Sequence, residues 1–143
     1  LLACSYGPDS MALFRMLLKE KFNFEVAHVN YHLRKESDSE MNNLKGFCEK
    51  NKIKLHIFEV EPDSIKKNVE ETCREIRYNF FKSLYDNFDA LLVAHNQDDH
   101  IETYFLQKQR NSIVQNYGLK EVNNLKDYIS FDILYLEKTI IYI

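Results

Sequence analysis

The chain of 143 residues carries 19 Lys and Arg against 22 Asp and Glu, for a formal net charge of −3, and 45% of it is apolar. A chain this long buries roughly 70% of its unfolded surface and fits one domain. Its charge balance excludes a protein that binds nucleic acid through overall positive charge, and no stretch reaches about eighteen consecutive apolar residues, so a helical membrane span is excluded as well.

Apolar spacing gives an alternating series of elements. "LLAC" (1–4) reads as a buried strand, and 10–21 as a helix with Met11, Phe14, Leu17 and Leu18 on one face. "FEVAHV" (24–29) is a second strand, 36–51 a helix built on Met41, Leu44, Phe47 and Cys48, and "KLHIFEV" (54–60) a third strand. The spacing of Val69, Cys73, Ile76, Phe80 and Leu84 predicts a long helix over 65–86, then "ALLVA" (90–94) a fourth strand and 97–109 a further helix. Beyond Arg110 the pattern weakens, although "FDILYL" (131–136) fits a strand. Strands alternating with helix-length segments define an α/β fold: a doubly wound, mostly parallel sheet with helices on both faces. Ligands of such sheets sit at the carboxyl ends of the strands, near the reversal of strand order, which selects the loops after Cys4, Val29 and Ala94.

The first of these loops, Ser5-Tyr6-Gly7-Pro8-Asp9-Ser10, runs into the first helix. Helix N-termini favour anions. Gly7 is expected to take positive φ and admit a phosphate, Pro8 to stiffen the turn, and Ser5 and Ser10 to offer hydroxyl donors. Asp9 repels phosphate unless a divalent cation such as Mg²⁺ bridges them. An ordinary turn with a Ser or Asp cap accounts for these six residues equally well. In "HNQDDHIET" (95–103), Asp98, Asp99 and Glu102 crowd within about one helical turn, which a bound cation or plain solvation of a helix N-terminus would relieve. Arg74 and Arg77 lie three residues apart beside an apolar stripe, positioned either for a phosphate or for ion pairs with Glu70 and Glu71. The cysteines, Cys4, Cys48 and Cys73, form no C-x-x-C pair and read as reduced structural thiols in a cytoplasmic protein.

The loop resembles the S-G-G-x-D-S motif of the N-type ATP pyrophosphatases. "HVNYHLRKESDSE" (28–40), "CREIRYNFF" (73–81) and "AHNQDDHIET" (94–103) resemble one branch of them, the tRNA(Ile)-lysidine synthetases, and the match runs through roughly residues 1 to 112 in order. This resemblance implies an adenine nucleotide α-hydrolase-like fold and a ligase. Such an enzyme adenylates the C2 oxygen of the wobble cytidine in a CAU-anticodon isoleucine tRNA, then lets the ε-amine of free L-lysine displace AMP, yielding lysidine, AMP and pyrophosphate. It also implies site residues. Ser5, Tyr6, Gly7, Pro8, Asp9 and Ser10 would hold the triphosphate of ATP, and His28 and Val29 the adenine, largely through backbone atoms. Asp9 would hold Mg²⁺, with Asp98 a second candidate. His95, Asp99 and Glu102 would receive lysine, and Arg74 or Arg77 would meet the α-phosphate or the adenylated cytidine. ATP, lysine and the tRNA are the implied partners, a homodimer is left open, and no membrane is involved.

Departures from the family pattern are specific. Tyr6 stands where the family has its first glycine, so a positive φ there would strain the backbone, and Asn111 also replaces a glycine. The chain reads as cut at both ends, because Leu1 begins inside a strand and "TIIYI" is still apolar where it stops; the downstream tRNA-gripping region of the family is not expected within it. A sulfur-transferring or amidating relative, a nucleotide- or RNA-binding module without turnover, and a purely structural fragment are the rival readings.

Overall fold

Side-chain alternation along the first strand divides the core into two layers. Leu2 and Cys4 point to one face of the sheet, where they pack with Met11, Leu13, Phe14, Leu17, Phe24, Val26, Leu44 and Cys48. Leu1 and Ala3 point to the other, with Ala27, Phe81 and Leu91. This is the two-fold step of a strand buried on both sides. The computed structural model describes residues 1–65, 68–85, 87–96, 123–125, 128–130 and 139–142.

In chain order the elements are β1 (Leu2–Ala3), α1 (Pro8–Lys19), β2 (Val26–Asn30), α2 (Ser37–Asn51), β3 (Leu55–Glu59), α3 (Val69–Tyr85), β4 (Leu92–Asn96), β5 (Asn123–Leu125), β6 (Tyr128–Ser130) and β7 (Thr139–Tyr142). The main sheet has the order β3-β2-β1-β4-β7. β1, β2, β3 and β4 are mutually parallel, whereas β7 joins β4 antiparallel at the edge. β5 and β6 pair antiparallel in a separate two-stranded sheet. α1 and α2 supply one apolar layer and α3 the other, so the doubly wound, mostly parallel arrangement expected from the sequence is the one found.

Phe14 is the hub of the first layer: fully buried, it makes T-shaped contacts with Phe24 and Phe47 at centroid distances of 5.2 and 5.0 Å. Such aromatic pairs contribute about 0.5–1.5 kcal/mol beyond their buried area. On the other face the anchor of α3 is Phe81 rather than Val69, which sits exposed on the first turn. The helix also starts later than the spacing predicts. Pro62–Ser64 form a 3₁₀ turn and Asn68 holds φ 48°, so the chain bends immediately before Val69, where the helix begins. The expected helix over 97–109 and the expected strand over 131–136 lie outside the described residues.

Strand order reverses beside β1. The chain steps from β1 outward to β2 and β3, then returns to place β4 on the other flank of β1, with Leu2 opposite Leu92 and Ala3 opposite Val93. The carboxyl ends of β1 and β4 therefore lie side by side at one edge of the sheet. No helix among the described residues is long and apolar enough to cross a membrane.

Candidate active site

The turn after β1 is held by its own small side chains. Ser5 Oγ accepts the Gly7 N–H at 3.3 Å and lies 3.4 Å from Ser10 Oγ. Ser10 Oγ donates to the Gly7 carbonyl at 3.0 Å and receives the Cys4 thiol at 3.5 Å. Ser10 is buried, and its single hydroxyl proton is committed to the loop backbone, so it braces the turn from beneath instead of offering a donor to a ligand; Ser5 is the exposed hydroxyl.

Positive φ falls at Tyr6 (φ 67°) and not at Gly7, which is extended at φ −70°, ψ 164°. The expectation for Gly7 is thus corrected. Gly7 is the N-cap of α1, a position that takes extended dihedrals, which moves the sharp turn one residue earlier. Gly7 matters by its size: a Cβ there would stand 3.3 Å from Ser5 Oγ. Tyr6 carries the left-handed strain, of order 1–2 kcal/mol, offset by packing of its half-buried ring against the first core layer. Pro8 at the first helical position and Asp9 beside it complete an N-terminus whose dipole faces the loop.

β2 brings a second group of residues to the same edge. Val26, His28 and Asn30 alternate toward α1 and α2, and all three are buried. His28 Nδ1 lies 2.8 Å from the Cys4 carbonyl, and burial pushes its pKa below the usual 6.5. His28 is more deeply buried than a strand-end histidine is expected to be. Val29 faces the opposite layer. Asn30 donates to Asp38 Oδ1 at 2.8 Å and accepts the His32 N–H at 3.0 Å, and His32 bridges Asp38 at 2.8 Å and Glu59 at 3.4 Å. The sequence reading does not single out Asn30; its signal is a polar residue closing the apolar run "VAHVN".

Tyr31 extends this edge to α3. Its hydroxyl donates to the Cys73 carbonyl at 2.8 Å, so the turn of α3 bearing Arg74 and Arg77 sits beyond the carboxyl end of β2. Arg74 and Arg77 lie over the Tyr78 ring, 5.3 and 5.7 Å from its centroid. Among the described residues neither forms an ion pair with Glu70 or Glu71, so the surface-pair account of these arginines is not realised. Tyr78 is half-buried beneath both guanidiniums. His95 is placed in β4, next in line after Ala94, while Asp98, Asp99 and Glu102 lie outside the described residues, as does Asn111.

Cys4 and Cys48 are buried free thiols, and Cys73 is a half-buried one. Burial raises the pKa of all three, that of Cys48 to about 11, which suits packing better than nucleophilic chemistry. A cavity of about 530 Å³ between the C-terminal half of α1 and the start of β4, lined by Leu17, Phe22, Phe24 and Phe88, opens at the opposite end of the sheet from the turn after β1.

A parallel 3-2-1-4 sheet with a helix N-terminus at its topological switch point defines a nucleotide-binding α/β domain. Its sequence places it more narrowly. The chain belongs to the PP-loop domain family, an ATP-binding family whose model matches residues 1–134. It is similar to the tRNA(Ile)-lysidine synthase of Mycoplasma mycoides, 39% identical over 137 residues that make up 92% of this chain and 34% of the relative. The enzyme of the same name from Mesomycoplasma hyopneumoniae is 39% identical over 127 residues, 87% of this chain and 42% of the relative. That of Campylobacter jejuni is 35% identical over 133 residues, 90% and 40% respectively. The chain thus spans between about a third and just over two fifths of the length of these curated relatives.

Proposed function

We propose that the protein uses ATP to join lysine to C2 of the wobble cytidine of a CAU-anticodon isoleucine tRNA. The observation that carries this reading is the adjacency of β1 and β4: the turn suited to a triphosphate follows one of these neighbouring parallel strands, and His95 and Asn96, where "HNQDDHIET" begins, close the other. The names of the relatives support the choice of reaction.

A cytosine C2 oxygen is a poor leaving group. Attack of that oxygen on the α-phosphorus of ATP expels pyrophosphate and converts it into a phosphate ester. Lysine Nε then attacks C2, the C2–O bond breaks, and AMP departs. Charge growing on the pyrophosphate calls for donors fixed in advance; in this reading the N-terminal turn of α1 supplies them, with Ser5 at the surface and Ser10 and Gly7 shaping the turn. The backbone of His28 and Val29 is assigned to adenine, and Arg74 or Arg77 to the α-phosphate or the adenylated base. Mg²⁺ fits the donor set at Asp9, because this ion is commonly held by one or two carboxylates together with substrate phosphates, and it would neutralise phosphate charge there. Among the described residues no three His, Cys, Asp or Glu gather into a metal cluster of their own. Asp98 is the second candidate.

Lysine sets a constraint on the acids. At pH 7 only about one ε-amine in a few thousand is neutral, so a carboxylate that binds the ammonium must have a partner that takes its proton as attack begins. Asp99 is assigned to binding, with His95 orienting, and Glu102 to the proton. Incubation of the protein with labelled lysine, ATP, Mg²⁺ and the CAU-anticodon tRNA is expected to label the tRNA. Glu102→Gln is expected to abolish lysine transfer and retain most ATP–pyrophosphate exchange; loss of both half-reactions together would overturn the division between Asp99 and Glu102. The strained Tyr6 favours one second reading, a nucleotide-binding module without turnover, which predicts ATP binding with neither exchange nor labelled tRNA.

A further inference from the structure

The β1–β2 ladder ends abruptly. Leu2 N–H bonds the Glu25 carbonyl at 2.8 Å and Cys4 N–H bonds the Ala27 carbonyl at 2.9 Å, and the register stops with Ala3 opposite Ala27. In a parallel ladder the next bond would run from the Val29 N–H to the Cys4 carbonyl. That carbonyl is instead met by the His28 imidazole, at 2.8 Å.

We propose that His28 is a positioning residue whose Nδ1–H takes the Cys4 carbonyl out of the ladder and so fixes where the phosphate-binding turn begins. The inference rests on the reading that this turn holds the phosphates of ATP. A carbonyl only accepts, so the bond requires the proton on Nδ1 and leaves Nε2 as a lone pair in a neutral ring. Nε2 has no partner among the described residues. Burial is what keeps the ring neutral; the charges acting on it are Glu40 and Lys45 of α2, and they oppose one another. Because Cys4 is the last residue before the turn, the imidazole decides whether the backbone stays in the sheet or swings into the left-handed step at Tyr6. Without it, either a buried carbonyl is left unsatisfied or Val29 N–H closes the ladder. Either outcome moves the origin of the turn.

Two isosteres separate this role from space-filling. Asparagine places an N–H near the position of Nδ1, and glutamine places one near Nε2. The experiment compares the wild-type chain with H28N, H28Q and H28A, reading imidazole ¹⁵N shifts in the wild type, amide hydrogen exchange at Ser5, Tyr6 and Gly7, and binding of MgATP and of pyrophosphate. The expected results are the Nδ1–H tautomer, faster exchange in the turn and roughly tenfold weaker MgATP binding for H28A and H28Q, and recovery to within about threefold for H28N. An Nε2–H tautomer, glutamine rescuing better than asparagine, or all three variants matching the wild type would overturn the proposal. Should H28A fail to fold, the order of H28N and H28Q decides. If the wild-type chain binds neither MgATP nor pyrophosphate, the nucleotide reading fails by itself, and the role of His28 is then decided by the tautomer and the exchange rates.

Discussion

Tyr6, Lys21, His32, Lys52 and Asn68 all hold positive φ, the region where side chains clash with the backbone and glycine does not. The chain has three glycines, and one of them, Gly46, lies inside α2 with nothing within 4 Å of where a Cβ would stand. Glycine is therefore absent where it would relieve strain and present where it weakens a helix. Both α1 and α2 close on a left-handed lysine: Phe22 N–H bonds Leu17 O at 3.0 Å around Lys21, and Ile53 N–H bonds Cys48 O at 2.9 Å around Lys52, the pattern of a glycine-ended helix. Gly46→Ala is expected to raise stability by about 0.5–1 kcal/mol, and Lys52→Gly by a few tenths to about 1 kcal/mol, read as urea midpoints at constant slope. A loss on Lys52→Gly would mean that its side chain makes a stabilising contact worth more than the strain. The residue scale is also where the site was partly illegible. Strain at Tyr6 follows from tyrosine replacing a glycine, but the extended Gly7 and the inward Ser10 follow from α1 beginning at Pro8, two residues before the spacing predicts.

At the scale of elements, periodicity identified β1 to β4 and α1 to α3 because each buries a regular stripe against one sheet. Their ends were less legible, because single side-chain bonds set them. β1 is shorter than "LLAC" suggests since the imidazole of His28 takes the Cys4 carbonyl, and α3 is delayed by the bend at Asn68. The tether of α3 to the site was not legible at all: it joins residues 42 apart in sequence through the hydroxyl of Tyr31 and a helix carbonyl. Tyr31 is half-buried, and burial raises its pKa, so it remains a donor at neutral pH. Tyr31→Phe removes the donor and little volume. It is expected to cost about 1 kcal/mol in stability and to speed amide exchange in α3 around Cys73–Arg77 more than around Phe81, whose burial fixes the far half of the helix. Equal protection along α3 in Tyr31→Phe and wild type would show that Phe81 and its neighbours fix the whole helix alone.

For the whole molecule, acid sensitivity among the described side chains follows from two whose native pKa lies below its ordinary value. Burial lowers His28 from 6.5, and Glu25 is lowered from 4.5, first by its hydrogen bond to His56 at 2.6 Å. The signs differ in origin but not in direction. Above 6.5 His28 is neutral in both states and costs nothing; as pH falls below 6.5 the unfolded chain takes up a proton that the native chain refuses, and stability drops until the native pKa is reached. Glu25 contributes stability that is present above 4.5 and lost as pH falls through its lowered native pKa. The two windows open at different pH, so the limb just below pH 6.5 belongs to His28, with a slope of at most about 1.4 kcal/mol per pH unit for one proton. Glu25 is partly exposed and salt-screened, so its limb is expected to stay under about 1 kcal/mol. Subtracting the urea-derived stability of H28N from that of the wild type, pH by pH, cancels every other titrating group and leaves the His28 limb alone. The difference is expected to be flat above pH 6.5 and to turn against the wild type below it, which ties the acid limit of the fold to the same ring that ends β1. A difference that stays flat down to pH 5 would mean that the ring protonates at its ordinary pKa and that burial does not disfavour its charged form.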